Sequence, residues 1–336
     1  MTALASTHPT LLDITNASNS DGKVTPVSLM AEILAQDNEI LDDMVMKEAN
    51  EVTGHVGNIR TGYPSPTWRK FYGGVQPAKS TYRKVTDTIG MLEAYAEVDK
   101  ALADLNGNTA AFRLMEDRGF LEGMAKEMAQ TLFSGNENTA PEEFTGFGPR
   151  FNSQSAENAC NILTDAATPD STDNSSIWLV DWGDYVHGIY PKGSQSGLKI
   201  EDKGQVTLGD ATNGYYEGYR THYAWNLGLH VKDWRHVVRI QIDEENLTKG
   251  AATGPDLIDM MAQATELIPS QNGRLVFYCN RNVRSFFRRQ VMNKVASSTL
   301  SIEQITRPNG AMIRVPAFDG IPIRRCDALT ATETGI

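Results

Sequence analysis

The sequence has few cysteines and no apolar run long enough to cross a membrane. Its three cysteines are far apart, so they form neither a paired thiol motif nor a dense disulfide framework, which is typical of a reducing compartment. No segment approaches the roughly 20 apolar residues of a transmembrane helix, and the first residues do not resemble a signal peptide. We therefore expect a soluble protein that is made in the cytosol.

Basic charge and nucleotide-binding motifs are also scarce. The chain has 31 basic and 42 acidic residues and a formal net charge of -11, which argues against a chain-wide surface for nucleic acid or anionic lipid. It lacks the Walker loop, the Rossmann glycine fingerprint, the HExxH zinc helix and the EF-hand loop. The segment "GSQSG" at 193–197 differs from a nucleophile elbow because its central residue is Gln195 rather than serine.

What is present is enough apolar material for a large core. The chain has 336 residues, of which 40% are hydrophobic. Helical and strand patterns are mixed without a regular strand–helix repeat, which indicates an α+β fold. Residues 1–24 are rich in Ser, Thr and Asn and are predicted to form a loose arm. A short amphipathic helix is predicted to follow, beginning near Thr25 and Pro26.

Residues 51–100 have the pattern of a long hairpin. The runs "EVTGHVGNIRTGYP" and "STYRKVTDTIGMLEAYAEVD" alternate β-forming with charged residues, and prolines and glycines between them mark turns. A strand of about ten residues spans roughly 33 Å, and an isolated two-stranded ribbon is at best marginally stable in water. We therefore expect this hairpin to lie on another surface.

Residues 108–134 are predicted to form a long helix. Asn108 or Thr109 is expected to cap its start, and Gly135 is expected to end it. A helix of about 26 residues is roughly 39 Å long. The apolar residues that recur at helical spacing, and that we expect to be buried, are Phe112, Met115, Leu121, Met124, Ala125, Met128 and Leu132.

The middle of the chain is predicted to be rich in strands. A polar connection over 152–176 precedes a buried strand at "SIWLVDWG", and residues 190–214 look like an inserted loop region. Residues 215–242 predict long antiparallel strands with one solvated face. The buried face is expected to carry Tyr223, Trp225, Leu227, Leu229 and Val231, and the solvated face His222, Asn226, His230 and Lys232.

The last third alternates helices and strands. "TGPDLIDMMAQATELIP" predicts a helix that is capped by Thr253 or Gly254. "GRLVFYCN" predicts a strand, "RNVRSFFRRQVMNK" a helix, and "FDGIPIRRCDAL" a final strand before a loose tail. The first of these helices is expected to bury Leu257, Met261, Ala264 and Ile268.

His230, Asp233 and His236 are the candidate metal ligands. On a strand, Asp233 faces away from the two histidines, so ordinary surface or hydrogen-bonded histidines are the favoured interpretation. We assign no metal and no cofactor. The carboxylate pairs at 142–143 and 244–245 have no visible environment for acid–base catalysis, and solvated loops are the default interpretation.

Cys326, beside Arg324 and Arg325, is the candidate nucleophile. Neighbouring cations lower the pKa of a thiol and make it reactive. No histidine lies in the neighbouring segment, however, and a cysteine near a strand end is more often an inert apolar residue. A structural cysteine is therefore the favoured interpretation, and no catalytic residue is assigned.

The helix predicted over 281–294 carries a basic face with interleaved aromatic residues in its first ten positions. Such a face contacts phosphates and stacks on bases in single-strand-binding proteins. Alternatively, the arginines meet acidic groups on an adjacent subunit, which is the favoured interpretation. The residues concerned are Arg281, Arg284, Arg288 and Arg289, with Phe286 and Phe287.

Four regions, taken in order, carry a family resemblance. They are "RTGYPSPTWRKFYGGVQPAKSTYRKVTDTIGMLEAYAEVDKALADLNGN", "FLEGMAKEMAQTLFSGN" with "PEEFTGFGPR", "IWLVDWGDYVHGIYPKGSQSGL" and "FDGIPIRRCDAL". Together they extend over most of residues 52–329. The ordered set resembles the major capsid proteins of tailed bacteriophages with the Hong Kong ninety-seven type shell fold, in the branch of short-tailed phages related to epsilon-fifteen.

The resemblance implies a division of the chain. Residues 1–50 correspond to an N-terminal arm, 51–100 to an extended E-loop, and 101–150 to the spine helix and the start of a peripheral domain. Residues 151–250 correspond to the peripheral sheet with inserted loops, and 251–336 to an axial domain with a closing strand.

Within the closing strand, the resemblance implies specific roles. Ile321 and Ile323 are expected to pack into the axial domain, and Arg324 and Arg325 to meet its surface or a neighbour. Some capsids of this fold join their E-loops covalently through lysine and asparagine. Lys70, Lys79 and Lys84 lie in that segment, but no residue pattern here identifies the acceptor, so this chemistry is not inferred.

The implied function is a non-enzymatic coat subunit. Such a subunit is expected to self-assemble through hexamers and pentamers into the icosahedral head of the virion around double-stranded DNA. A portal protein and a cement or scaffolding protein are expected as further partners, and no membrane is expected. An acidic chain suits this role, because a strongly basic lining would bind phosphates and hinder packing and ejection. An arm, a ribbon and a long rod also need adjacent copies to cover them, since a compact monomer cannot.

Two alternatives remain open at this point. One is a cellular nanocompartment shell of the same fold, like the encapsulins, which would carry enzyme cargo. The other is a soluble α+β hydrolase that uses Cys326.

Overall fold

A computed structural model describes residues 38–104, 109–165, 172–209, 214–247, 254–270, 273–293, 300–306 and 312–336. The chain divides into two units, which are described separately. The predicted arm and the helix predicted near Thr25 lie outside the described residues. The smaller unit includes Met91–Met128 and Gly197–Asn226, and the larger unit comprises Asp37–Gly90, Ala129–Ser196 and Leu227–Ile336.

Helices and strands are interspersed along the chain, as predicted for an α+β fold. No helix among the described residues combines the length and apolar character of a membrane span. The helices are α1 (Ile40–Asp43), α2 (Lys100–Asp104), α3 (Thr109–Ser134), α4 (Phe147–Arg150), α5 (Leu257–Leu267) and α6 (Arg281–Asn293). The strands are β1 (Met46–Glu48), β2 (Gly54–Gly62), β3 (Thr81–Thr88), β4 (Gly90–Asp99), β5 (Ile162–Thr164), β6 (Asn174–Trp182), β7 (Val186–Tyr190), β8 (Leu198–Gly209), β9 (Tyr215–Val231), β10 (Val237–Asp243), β11 (Arg274–Cys279), β12 (Leu300–Thr306), β13 (Met312–Phe318) and β14 (Ile321–Arg325).

The long helix α3 is confirmed, and it has 26 residues. In the smaller unit its buried Met124 packs with Ala96 and Tyr223. The ring of Phe120 stacks on that of Tyr223 with 6.0 Å between centroids. Of the predicted stripe, Met124, Met128 and Leu132 are buried, Leu121 and Ala125 are half-buried, and the side chains of Phe112 and Met115 lie outside the described residues.

The inserted loop region predicted at 190–214 is wrong for about half of its length, because residues 198–209 form strand β8. This strand pairs antiparallel with β9, from Leu198 opposite Trp225 to Gly209 opposite Tyr215. Its many glycines and charges suggested a loop, but β9 supplies the hydrogen bonds that a strand needs. Alternation of apolar and polar residues along "LKIEDKGQVTLG" was the available signal.

The larger unit is built around the buried strand predicted at "SIWLVDWG". This strand, β6, is buried at every position, and it pairs antiparallel with β10 on one side and β11 on the other. The final strand β14 runs parallel to β11. Helices α5 and α6 contribute apolar side chains to the same core. The predicted buried face of α5 is confirmed, since Leu257, Met261, Ala264 and Ile268 all lie in this core.

The start of α5 differs from the prediction. Asp256, rather than Gly254, is the N-cap, and its side chain accepts hydrogen bonds from the backbone N–H groups of Ile258 and Asp259. Thr253, the other predicted cap, lies outside the described residues. An aspartate at this position satisfies the free N–H groups of the first turn, which glycine cannot do with a side chain.

The predicted solvated face of β9 is wrong at its C-terminal end. The last five residues of the strand are buried on both faces, and His230 is only 1% exposed. The reason is tertiary: the hairpin formed by β2 and β3 lies over this end, where Asp87 of β3 contacts the His230 ring. A period of two therefore predicts the strand but not what covers its second face.

The β2–β3 hairpin is confirmed, but it is shorter than the predicted segment. Gly54 pairs with Thr88 at its base, and the second predicted run is interrupted after β3. The backbone N–H of Ile89 donates to the carbonyl of Thr53, which closes the hairpin. The remainder of that run is the separate strand β4, which neighbours β9.

The predicted loose tail is also wrong. Glu333 forms a bridge with Asn174, and its carboxylate accepts a hydrogen bond from Arg239 at 2.7 Å. The backbone N–H of Ile336 donates to Gln241. The tail is thus held against the sheet, where Glu333 gives the buried guanidinium of Arg239 a charged acceptor.

Candidate assembly surface

Residues 63–80, between β2 and β3, form an extended connection that we call the aromatic loop. Its backbone turns at Phe71 and Tyr72, where the N–H of Gly73 donates to the carbonyl of Lys70. Tyr72 has a φ of 61°, a left-handed conformation that is uncommon for a residue other than glycine. The Nε of Arg69 donates to the carbonyl of Gly73 at 2.9 Å and braces the turn.

The aromatic loop exposes large apolar side chains to an unusual degree. A soluble monomer rarely presents a contiguous apolar patch of this kind, and larger patches mark surfaces that bind another molecule. The relative exposures are 78% for Tyr63, 104% for Trp68, 95% for Phe71 and 104% for Tyr72. Two cations, Arg69 and Lys70, lie between Trp68 and Phe71 in the sequence.

The base of the hairpin is fixed while its aromatic loop is exposed. Oδ2 of Asp87 is 2.6 Å from Nδ1 of His230, and Oδ1 is 2.8 Å from Nη1 of Arg150. Burial by itself raises the pKa of Asp87, but hydrogen bonds and charge from His230 and Arg150 outweigh it and hold the pKa below its usual value. The Thr88 hydroxyl also donates to Glu137 at 2.6 Å.

The smaller unit carries a second candidate surface, a groove between α3 and β4. It has a volume of about 410 Å³ and an apolar floor that includes Phe120, Leu92 and Ala94. A Cβ added at Gly119 or Gly123 would meet no atom within 4 Å, so these glycines keep the groove open. Three carboxylates, Glu93, Glu116 and Glu127, also line it.

The candidate metal ligands from the sequence do not converge. His230 is held by Asp87, whereas His236 lies 2.9 Å from Asp181. Asp233 accepts hydrogen bonds from the Arg235 side chain. Each of these ionisable groups thus has its own partner, which agrees with the hydrogen-bonded histidines favoured from the sequence.

Cys326 has the environment of a packed apolar residue. It is fully buried, and burial raises the pKa of its thiol to about 12. Its neighbour Arg325 pairs with Asp327, and Arg324 points into the interior, where it donates to Asp43 and Glu39. The expectation that Arg324 meets the surface or a neighbour is therefore wrong, because this guanidinium is 3% exposed and is paired within its own chain.

Several residues of the basic and aromatic face predicted on α6 make contacts within the chain. Arg281 pairs with Asp327 at 3.0 Å, and Phe287 is buried in the core of the larger unit. The guanidinium of Arg289 lies 4.8 Å from the centre of the Phe286 ring. A buried Phe287 is not available to stack on a base.

Sequence reasoning missed the importance of the aromatic loop. The glycines of the segment "TWRKFYGG" and the neighbouring prolines predict turns, and turns alone do not indicate a binding surface. The available signal was three aromatic residues within five positions, from Trp68 to Tyr72, in a segment whose turn residues leave few ways to bury them.

A family model described as major capsid protein GP7 matches residues 19–336, which is most of the chain. The chain belongs to this family. It is a major capsid protein of a tailed phage and a component of the virion capsid, as the sequence resemblance implied.

Solved structures agree with this assignment. The capsid protein is 36% identical to a chain of the bacteriophage Epsilon15 structure, with a TM-score of 0.73, and the match covers 100% of this chain and 99% of that one. This confirms the phage capsid fold and the predicted epsilon-fifteen-like branch.

More distant structures are also similar to the capsid protein. The capsid of bacteriophage JBD30 is 10% identical, with a TM-score of 0.49 and coverages of 89% and 93%. The SrpI encapsulin from Synechococcus elongatus is 10% identical, with a TM-score of 0.41 and coverages of 60% and 85%. A search of curated proteins found no match. The GP7 family model and the Epsilon15 structure support the phage capsid assignment over the nanocompartment alternative.

Proposed function

We propose that this protein self-assembles through hexamers and pentamers into the icosahedral head that encloses the double-stranded DNA genome of its phage. It does so without catalytic turnover. The family assignment and the Epsilon15 structure support a coat protein. The candidate nucleophile Cys326 is buried, with the pKa of its thiol raised to about 12, which suits packing rather than catalysis.

The observation that carries this proposal is the exposure of the aromatic loop. Trp68, Phe71 and Tyr72 are almost wholly accessible in the single chain. Burying an aromatic side chain stabilises a complex by roughly 1.5–3 kcal/mol relative to leaving it exposed, so three such residues represent a large driving force for association. The base of the hairpin is held by Asp87, and its aromatic loop is exposed. This arrangement suits a projection that a neighbouring copy of the chain covers.

The occupant that fits is a second copy of this chain. The aromatic loop has two cations, Arg69 and Lys70, beside its rings. The groove between α3 and β4 combines an apolar floor with the carboxylates Glu93, Glu116 and Glu127. Opposite charges around an apolar centre are the pattern of a specific interface. In the proposed shell, the loop of one copy lies in the groove of the next.

The division of the chain expected from the resemblance becomes part of this proposal. The hairpin and aromatic loop act as the E-loop, α3 as the spine helix of a peripheral domain, and residues 251–336 as an axial domain with β14 as its closing strand. Residues 1–50 act as an N-terminal arm. A portal protein and a cement or scaffolding protein are proposed partners, and packaged DNA lies close to the shell's inner face.

The test is a variant that removes the rings and leaves the hairpin. Trp68→Ser, Phe71→Ser and Tyr72→Ser are combined, and Gln76→Ala in the same loop is the control. Assembly is followed by sedimentation velocity and negative-stain microscopy, and subunit folding by circular dichroism. We expect folded subunits that do not close into shells, whereas the control assembles normally. Normal shells from the triple variant would refute the role of the loop.

A further inference from the structure

Three histidines from distant parts of the chain meet at the base of the hairpin. His55 is near the start of β2, His187 lies on β7 and His230 on β9, and the last two are directly opposite each other in the antiparallel pair. The ring centroids of His55 and His230 are 4.4 Å apart, and those of His187 and His230 are 5.1 Å apart. One nitrogen from each ring lies within 4.8 Å of the other two. We propose that this cluster binds a divalent transition-metal ion of the Zn²⁺ class.

The best-defined ligand is His230. Its Nδ1 lies 2.6 Å from the Asp87 carboxylate, which also accepts a hydrogen bond from the backbone N–H of Val231. A carboxylate in this position accepts a hydrogen bond from Nδ1–H. The other ring nitrogen, Nε2, then keeps its lone pair. That Nε2 is buried and has no hydrogen-bond partner among the described residues. Metal-bound histidines usually have this same carboxylate support on their second nitrogen.

A second buried nitrogen has the same property. Nδ1 of His187 has no hydrogen-bond partner within the described parts of the chain, and the residue is 4% exposed. Neutral imidazole is the form that binds a metal, through such a nitrogen lone pair. Two buried lone pairs without partners are costly, and a cation shared between them would remove that cost.

The third ligand, His55, is the least buried of the three. It is half-buried, and its Nδ1 accepts a long 3.3 Å hydrogen bond from the backbone N–H of Asn50. Tetrahedral Zn²⁺ has Zn–N distances of about 2.0–2.1 Å, which places ligand nitrogens roughly 3.3 Å apart. The ligand nitrogens, which now lie within 4.8 Å of one another, must therefore move closer together by up to about 1.5 Å.

The hairpin backbone packs closely against the His230 ring at Gly57. A Cβ added at Gly57 would lie 2.8 Å from both Cε1 and Nε2 of that ring, so only glycine allows this close approach. Three imidazoles favour Zn²⁺, Cu²⁺, Ni²⁺ or Co²⁺ over Mg²⁺ and Ca²⁺, which prefer oxygen ligands. A bound ion would join the hairpin to the β7–β9 pair and hold the base of the proposed assembly projection.

The test uses purified full-length subunits that have been dialysed against a chelator. Zn²⁺ binding is measured by isothermal titration, and Co²⁺ binding by the visible absorption of the four-coordinate ion. His55→Gln removes the most exposed ligand. His222→Gln, on β9 like His230 but outside the cluster, is the control. We expect one ion per chain in the wild type and the control, and an affinity lower by at least roughly tenfold in His55→Gln.

A thermal-unfolding measurement on the same proteins covers the possibility that the substitution disturbs folding. Zn²⁺ is expected to raise the Tm of the wild type and of His222→Gln but not that of His55→Gln, while excess Mg²⁺ has no effect. The proposal is overturned if the wild type takes up neither Zn²⁺ nor Co²⁺ at micromolar concentrations, or if His55→Gln binds them as the wild type does.

Discussion

The guanidinium of Arg324 and the carboxylate of Asp43 form a buried ion pair, with 3.1 Å between Nη2 and Oδ1. Arg324 is on the final strand β14 and Asp43 is on α1, so the pair joins two ends of the described chain. Nη1 of Arg324 also donates to Glu39 at 3.3 Å. The next residue along, Arg325, instead pairs with Asp327 and remains partly exposed.

Arg324→Ala is therefore expected to be strongly destabilising. It leaves the buried Asp43 and Glu39 with one cation fewer, which costs roughly 3–5 kcal/mol when a buried pair is broken. Arg325→Ala is the matched comparison, and its loss should be smaller, because the side chains of Arg325 and Asp327 are 23% and 12% exposed whereas those of Arg324 and Asp43 are 3% and 1% exposed. Urea unfolding of the two variants measures both free energies. Equal losses would show that the burial of Arg324 has no energetic consequence.

Met124→Asp on α3 should prevent stable folding of the subunit. The methionine is 5% exposed and packs against Ala96 and Tyr223, so a carboxylate there is buried without a partner. The expected loss is at least about 3 kcal/mol. Gly123→Asp, at the exposed neighbouring position, should leave the stability within about 0.5 kcal/mol. The yield of soluble protein and its thermal unfolding distinguish the two.

Replacing Gly119 and Gly123 with alanine should stabilise the subunit but impair assembly. Neither new Cβ meets an atom within 4 Å, and alanine in a helix is favoured over glycine by roughly 0.5–1 kcal/mol at each position. The same methyl groups would narrow the groove that is proposed to receive the aromatic loop. Chemical denaturation measures the first effect and the rate of shell formation by light scattering the second. Unchanged assembly would argue against the groove as the docking surface.

The cysteines should differ in reactivity. Burial raises the pKa of the Cys279 and Cys326 thiols to about 12, whereas Cys160 is exposed. Because the thiolate is the reactive form, the two buried thiols stay protonated and unreactive as the pH rises from 7 to 9. Iodoacetamide at pH 8 should modify only Cys160 in native subunits and all three cysteines in urea, as read by mass spectrometry. Rapid labelling of Cys326 in the native subunit would instead support the hydrolase hypothesis.

Glu333→Ala should destabilise the larger unit although it lies three residues from the C-terminus. It removes the carboxylate that accepts from Arg239, which is buried among other groups of the sheet. A lost hydrogen bond to a charged group costs about 1.5–3 kcal/mol. Thr332→Ala, at an exposed position beside it, is the control and should have almost no effect. A Tm shift that is the same for both would indicate that the tail is not anchored by Glu333.

Several elements were predictable because a repeating pattern identifies them. The apolar spacing along α3 predicted its 26 residues, and the continuous apolar run at "SIWLVDWG" predicted the buried strand β6. The ordered set of segments also predicted the capsid family, which the family model and the Epsilon15 structure confirm. Each of these signals comes from residues that are close together in the sequence, or from several such segments taken in order.

The errors have a common physical cause. His230 was placed on a solvated face, Arg324 at a surface and the C-terminal tail in solvent, yet all three regions are in contact with distant parts of the chain. A period of two or 3.6 residues tells which side chains share a face, but not whether a second element covers that face. For the same reason nothing local predicted that His55, His187 and His230 would meet.

By itself, then, the sequence determined the secondary structure of its long periodic segments, the α+β class and membership in the capsid family. Only the tertiary structure decided which buried charges pair and where three histidines converge. It also decided which aromatic residues stay exposed in the single chain. The physical reason is that periodicity is a property of residues close together in the sequence. Burial and pairing instead depend on residues that come into contact only when the sheet forms.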